Sequence, residues 1–463
     1  MGVMEPASIA SSTLLIALIA SELTYLSYHL WVSSAASKYS TPKGYLTKMP
    51  VVAFHIPIRG EPPALLERVL ASIKQLKYPK DKIRVVVICD DEKTDALEGV
   101  CREAQRELEV IFIHRKRARG FKAGALNEAL KVESDVIVVL DVDSIIPSDF
   151  LVKALPSLYE TNDVAAVVAR WEPLNLKESL VSEAVSFGQT FFTRGLFRGL
   201  QTLFGSSILI GNACLIKRDV LIRAGMWDEK CILEDVELGV RLRLKGHRVV
   251  YNDDVPVWVE HPSTYSDFKK QQRRWACGIS QVISKYFKSI LTSRLKLKEK
   301  ISLIIYLTQY WGLTLVGLST LALPLLAFFN GEPPLLPLLP FIVVGALTIA
   351  IYSYRLTKYR FNECDLIQGI KILGRTSALT MAMSLDILFS SLKPLFKIKC
   401  AWKVTPKGPS KRNLRRVPKL ELGLAFLPLI ALIISASKMY LVLTVWSIAC
   451  FSPLIYVVIK RFG

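Results

Sequence analysis

The sequence has no CxxC pair and no cluster of cysteine with histidine. Its eight cysteines (Cys89, Cys101, Cys214, Cys231, Cys277, Cys364, Cys400 and Cys450) lie scattered along the chain. That spacing argues against a structural zinc site and against a disulfide framework, and it is compatible with a reducing cytosolic surrounding. Residues 1–7 contain no lysine or arginine, and no small-residue cleavage site follows. The apolar run that comes next is therefore read as a retained span, not as a secretory signal. No aromatic-interleaved RNA motif accompanies the basic residues, so no nucleic-acid partner is expected.

What the chain does have is apolar and charged residues in separate blocks. Over 463 residues the hydrophobic fraction is 51%, yet 60 Lys+Arg stand against 40 Asp+Glu, a formal net charge of +20. A mean hydropathy of +0.34 is too high for an ordinary soluble protein, and a charged fraction of 22% is too high for a chain wholly in lipid. Disorder, collagen and a small disulfide scaffold are excluded by the same composition. Apolar stretches long enough to span a bilayer, roughly 20 residues, occur at 8–32, 301–329, 335–354, 420–437 and 440–459. The expected organisation is an N-terminal span (1–32), a cytoplasmic soluble domain (33–300), two spans (301–354), a cytoplasmic interface segment (355–419) and two final spans (420–463). Stretch 376–395 is apolar enough for a sixth span but holds Asp386. An amphipathic interface helix is the preferred reading, because another span would put the basic segment 397–419 outside. Lys/Arg clusters after the third and fifth spans and before the fourth predict a multi-pass plasma-membrane protein, N-terminus outside and C-terminus inside, held to anionic membrane lipids.

Within 33–300, runs at 51–56, 83–89, 110–113, 136–140 and 164–169 read as buried strands. Helical patterns at 65–76, 122–132 and 149–158 alternate with them. Such alternation predicts a mostly parallel α/β sheet, with ligands bound beyond the carboxyl ends of its strands. Acids sit there. Asp90 and Asp91 follow the second strand, and Asp141 and Asp143 follow the fourth. Two hard oxygen donors on one turn suit Mg²⁺ or Mn²⁺, although an isolated Asp-x-Asp also fits a solvated turn. Glu234 and Asp235 open a helical pattern, where a carboxylate could take a proton from an acceptor hydroxyl or merely cap the helix. Gln271, Arg274 and Trp275 share one helical face: an amide, a guanidinium able to fork onto phosphate, and an indole on which a sugar could stack. Trp275 would also suit a membrane-interface anchor.

In this order Asp90, Asp141-x-Asp143, Glu234-Asp235 and Gln271-x-x-Arg274-Trp275 resemble the D, DxD, ED, QxxRW signature of membrane-bound family-two glycosyltransferases of the cellulose synthase and cellulose-synthase-like group, which includes glucomannan and hyaluronan synthases. Segment 122–127, Lys-Ala-Gly-Ala-Leu-Asn, is similar to that family's helix start between the first two acids. Trp402-Lys-Val-Thr405-Pro-Lys407 resembles its gating loop, with tryptophan in place of phenylalanine. Leu233 stands where threonine usually precedes Glu-Asp. The opening loop, Pro57-Ile-Arg-Gly-Glu61, also departs from the usual pattern.

The resemblance implies a GT-A-type, Rossmann-like domain joined to a transmembrane helical bundle with amphipathic interface helices. It implies an inverting, processive hexosyltransferase that uses a nucleotide sugar (UDP-glucose or a related UDP- or GDP-hexose) to extend and translocate a β-linked polysaccharide. The alternative is a non-processive glycolipid synthase that moves one sugar to a lipid, so the acceptor is a glycan or a lipid. In either case Asp235 is the expected base with Glu234 beside it, and Asp90, Lys122, Asp141, Gln271, Arg274, Thr405 and Lys407 the donor-binding residues. Trp275 is the expected acceptor platform, and Asp143 with Asp141 the ligands of a Mg²⁺ or Mn²⁺ cofactor. Partner subunits are not legible.

Overall fold

A computed structural model of the protein describes residues 5–358, 366–400 and 418–460. Helix α1 (Pro6–Ala35) leads into β1 (Val52–Ile58), α2 (Pro63–Lys74), β2 (Ile83–Cys89), α3 (Asp95–Ala104) and β3 (Glu109–His114). Then come α4 (Phe121–Ala129), β4 (Val136–Val139), α5 (Phe150–Leu158) and β5 (Val164–Pro173). After α6 (Leu180–Thr190), a π-helical stretch Phe191–Phe197 and α7 (Arg198–Phe204), the chain forms β6 (Cys214–Lys217), α8 (Arg218–Ala224), α9 (Glu234–Leu244), β7 (Arg248–Val259) and the long α10 (Tyr265–Thr292).

The seven strands make one sheet in the order β3-β2-β1-β4-β6-β5-β7. The five strands expected from sequence are β1 to β5; β6 and β7 were not expected. The sheet is mixed: β6 runs antiparallel to both β4 and β5, and the other pairs are parallel. Residues of β1, β2 and β4 are buried almost throughout, as expected of central strands covered on both faces. One core packs α2, α3 and α5 on one face. The other joins α4, α9 and α10 to residues of α11, α14, α16 and α17, described next, so the catalytic core continues into the apolar helices without a break.

Those helices are α11 (Leu297–Leu307), α12 (Trp311–Phe328), α13 (Leu335–Lys358), α14 (Leu366–Ala382), α15 (Ser384–Leu392), α16 (Lys419–Ser437) and α17 (Leu441–Ile459). Among the described residues, four helices are long and apolar enough to cross a membrane: α1, α12, α16 and α17. The count reaches five if α14 and α15, bent by 51° at their junction, form one broken span. The chain is accordingly a membrane protein. Two sequence expectations change here. Stretch 301–329 is not one span, because the chain turns at 308–310 and divides it into α11 and α12. Stretch 376–395 belongs to the bent α14–α15 pair and not to a single amphipathic helix.

Helix α10 joins the two parts. Thr264 caps it by accepting the Asp267 N–H at 3.1 Å. Farther along, Lys269 pairs with Asp386 of α15 at 3.4 Å and with Glu421 of α16, and Arg273 reaches Asp386 at 3.2 Å. Cys277 forms a disulfide with Cys400, Cα–Cα 6.0 Å, a single bridge where the sequence argued against a disulfide framework. The two cysteines are 123 residues apart in sequence, so no local spacing signals the bridge.

Candidate active site

The site lies beyond the carboxyl ends of β1, β2, β3 and β4, closed on one side by α9 and α10. Asp90, one residue past β2, is buried and held by Arg115, one residue past β3. Arg115 Nε donates to Asp90 Oδ1 at 2.7 Å and Nη2 to Oδ2 at 2.6 Å. Arg115 was not singled out from sequence. It lies two residues beyond the predicted strand 110–113 and opens the run Arg115-Lys-Arg-Ala-Arg119, but its pairing with Asp90 depends on β3 lying beside β2.

Gly120 ends that run at φ +72° and sits against Glu229, leaving no space for a Cβ. It starts α4 so that Lys122 enters the site. Lys122 Nζ donates to Asp141 Oδ1 at 2.7 Å and to the Gly211 carbonyl at 2.8 Å, with Glu234 Oε1 at 3.9 Å. Burial disfavours its charge, but Asp141 and Glu234 outweigh that cost and hold the ammonium well above the ordinary lysine range.

The Asp141–Asp143 turn is fixed from both sides. Asp141 N donates to Asn212 Oδ1 at 2.9 Å, and Asn212 Nδ2 donates to Ser144 Oγ at 2.8 Å. Arg68 Nη2 donates to the Asp143 main-chain carbonyl at 3.0 Å and to Glu260 Oε1 at 2.8 Å. Asp143 is 1% exposed. Among the described residues no group of three or more His, Cys, Asp or Glu could hold a metal. Two carboxylates on one turn nonetheless fit a hard divalent ion whose other ligands are water and phosphate oxygens.

Glu234 and Asp235 begin α9. Asp235 Oδ2 accepts the Gly211 N–H at 2.6 Å and Oδ1 the Val236 N–H at 2.8 Å. Burial raises the affinity of both carboxylates for a proton: Glu234 is pushed up to about 7, by burial and then by Asp235, against the pull of Lys122. A carboxylate kept basic in this way can accept a hydroxyl proton near neutral pH.

Helix α10 comes close because Gly278 lies on Ile232 and Leu233, where a Cβ would stand 2.4 Å from Leu233 Cγ. One turn earlier, Arg274 is partly buried in the field of Glu234, Asp141, Asp235 and Glu61, yet makes no direct ion pair among the described residues. Burial lowers its proton affinity, but a guanidinium remains charged. Gln271 Oε1 is a buried atom with no hydrogen-bond partner among the described residues. Trp275 is partly buried against the core. Tyr306 of α11 stands within electrostatic reach of Asp235, and Tyr310 donates to Gln272 Oε1 at 2.9 Å; sequence reading singled out neither tyrosine. The structure thus gathers Lys122, Asp141, Glu234, Asp235 and Arg274 in one electrostatic cluster. Asp90 lies beside it through Arg115, whose Nη2 reaches the Phe121 carbonyl at 3.3 Å. Thr405 and Lys407 lie outside the described residues.

Residues 50–278 match the family described as "Glycosyltransferase like family 2". Over 437 residues, 92% of this chain and 91% of the relative, the sequence is 28% identical to a probable glycosyltransferase of Sulfolobus acidocaldarius. It is 29% identical over 257 residues to a glucomannan 4-beta-mannosyltransferase of rice, covering 53% of this chain and 48% of the relative; the chain spans about half the length of that plant enzyme. The fold is similar to that of a mannosyltransferase from Pyrobaculum calidifontis solved with GDP-mannose and Mn²⁺, with TM-score 0.54 and 20% identity over 83% of this chain and 99% of the other. With its sheet, its acidic strand ends and these likenesses in hand, the chain is a family-two glycosyltransferase, a hexosyltransferase with a GT-A-like domain joined to apolar helices.

Proposed function

We propose that the protein moves a hexose, with inversion, from a UDP- or GDP-hexose to the end of a β-linked glycan, and that it does so processively and passes the product through its own spans. The observation that carries the donor half is Arg274, a partly buried guanidinium without an ion pair among the described residues. Burying such a charge is costly unless an anion arrives to meet it, and the diphosphate of a nucleotide sugar is such an anion, with Lys122 on its other side. A divalent ion held by Asp143 and Asp141 would add charge stabilisation to the leaving diphosphate. Asp235 takes the proton of the attacking hydroxyl, Glu234 keeps it basic, and Trp275 floors the acceptor.

Asp90 and Arg115 place an acceptor beside a donor. That pair suits a base edge with N–H next to C=O, which uracil and guanine have and adenine and cytosine lack. The mannosyltransferase names of the rice and Pyrobaculum proteins make GDP-mannose the first donor to test and UDP-glucose its comparator. Thr405 and Lys407 are proposed to close over the donor. Their segment is flanked by Cys400 and Glu421, both tied to α10. We read the catalytic domain as lying on the cytoplasmic side, a reading supported by the basic flanks of the spans.

Incubating the purified chain with a panel of nucleotide sugars tests this reading. A polymer of several β-linked hexoses, with release of UDP or GDP, is the expected product. One sugar on a lipid at every donor concentration would replace it with the glycolipid reading.

A further inference from the structure

A cavity of about 260 Å³ opens between α1 and the turn from α11 to α12, lined by Ser21, Glu22, Tyr25, Thr308, Gln309 and Trp311 with four neighbours. Glu22 lies within a helix apolar enough to cross a membrane, where an ionisable side chain is costly and marks a functional path. It forms no ion pair among the described residues. Its carboxylate rests on Gly312, where a Cβ would stand 2.0 Å from Oε1. Gly312 is in the first turn of α12, so the carboxyl group lies beside the N-terminal end of that helix.

The lining decides the ligand class. It contains no lysine, arginine or histidine, so a phosphate, a nucleotide or a phospholipid headgroup finds no counter-charge. It contains a single carboxylate, too few anionic ligands for a divalent cation. What it offers is a carboxylate and an amide to accept O–H groups, hydroxyls that donate or accept, and the Tyr25 and Trp311 rings as flat apolar faces. That inventory suits a neutral, hydroxyl-rich ring. The cavity also adjoins the acceptor side of the reaction: Gln309 is hydrogen-bonded to Tyr306, which stands within reach of Asp235, and the next residue, Tyr310, is bonded to Gln272 of α10.

We propose that this cavity binds a neutral sugar residue of the acceptor, behind the one that reacts, with Glu22 and Gln309 taking its hydroxyls. The proposal rests on the reading of the acceptor as a glycan.

The test uses the full chain in nanodiscs and a neutral β-1,4-linked mannotetraose, with binding measured without donor and elongation measured with it. Glu22→Leu and Gln309→Leu should each weaken mannotetraose binding roughly tenfold, the loss of about one charge-assisted hydrogen bond, and shorten the product. Glu22→Gln, which keeps an accepting oxygen, should retain most of the binding, and donor hydrolysis by Glu22→Leu should be unchanged. Wild-type binding in both leucine variants, or no binding by the wild type, overturns the subsite. If the wild type elongates and the variants match it, only the subsite fails. If Glu22-dependent binding accompanies a single-sugar product, the subsite stands and processive synthesis fails.

Discussion

Asp235 Oδ2 accepts the main-chain N–H of Gly211 at 2.6 Å, in a space where a Cβ on Gly211 would meet that oxygen at 2.9 Å. The Gly211 carbonyl accepts Lys122 Nζ, so one glycine ties the proposed base to the lysine of the donor site. Gly211→Ala should displace the carboxylate and lower kcat by roughly 10²-fold, the scale of losing one aligned catalytic group. Steady-state kinetics with an unchanged unfolding temperature would confirm it; wild-type kcat would refute the tie.

The Glu234–Asp235 pair sets the acid side of the pH profile. Burial raises both, Glu234 to about 7, so the base is protonated and inactive at low pH. The value of kcat/KM should climb on an acid limb displaced above the ordinary carboxylate range and level off beyond it. For stability the sign is opposite: Glu234's contribution is full below the ordinary glutamate value of 4.5 and is lost as pH rises through about 7. An acid limb near pH 4 would show that the acids are not buried as described.

Arg274→Lys keeps a charge but loses the planar fork that grips a diphosphate. Nucleotide diphosphate affinity should fall by roughly tenfold or more, read by calorimetry. Unchanged affinity would mean that Arg274 only packs α10.

Removal of divalent ions by EDTA should abolish transfer, and Mg²⁺ or Mn²⁺ should restore it. Asp143→Asn should cost roughly 10²-fold in rate. Full activity of Asp143→Asn in chelator would reject the metal role of the Asp141–Asp143 turn.

Much of the parallel part of the sheet was legible because β1 to β4 are short β-branched runs between amphipathic helices, and acids at strand ends stand out against them. Strand β6 was not legible: it is four residues long and runs antiparallel between two partners far away in sequence. The acids and the α10 face could be named from their spacing, and Lys122 from the family resemblance. Their partners could not, because Arg115, Gly211, Asn212 and Tyr306 reach the site through tertiary contacts. The split of 301–329 is hidden for a related reason. Thr308, Gln309 and Tyr310 are ordinary helix residues, and packing rather than proline or glycine turns the chain there.

The central claim is inverting transfer of several hexoses from one nucleotide donor with Asp235 as base. The most direct measurement is the length and anomeric configuration of the product formed from GDP-mannose and from UDP-glucose, by the wild type and by Asp235→Asn. A β-linked polymer from at least one α-linked donor, absent in Asp235→Asn, is the predicted result. An α-linked product, or a polymer made equally well by Asp235→Asn, would contradict it.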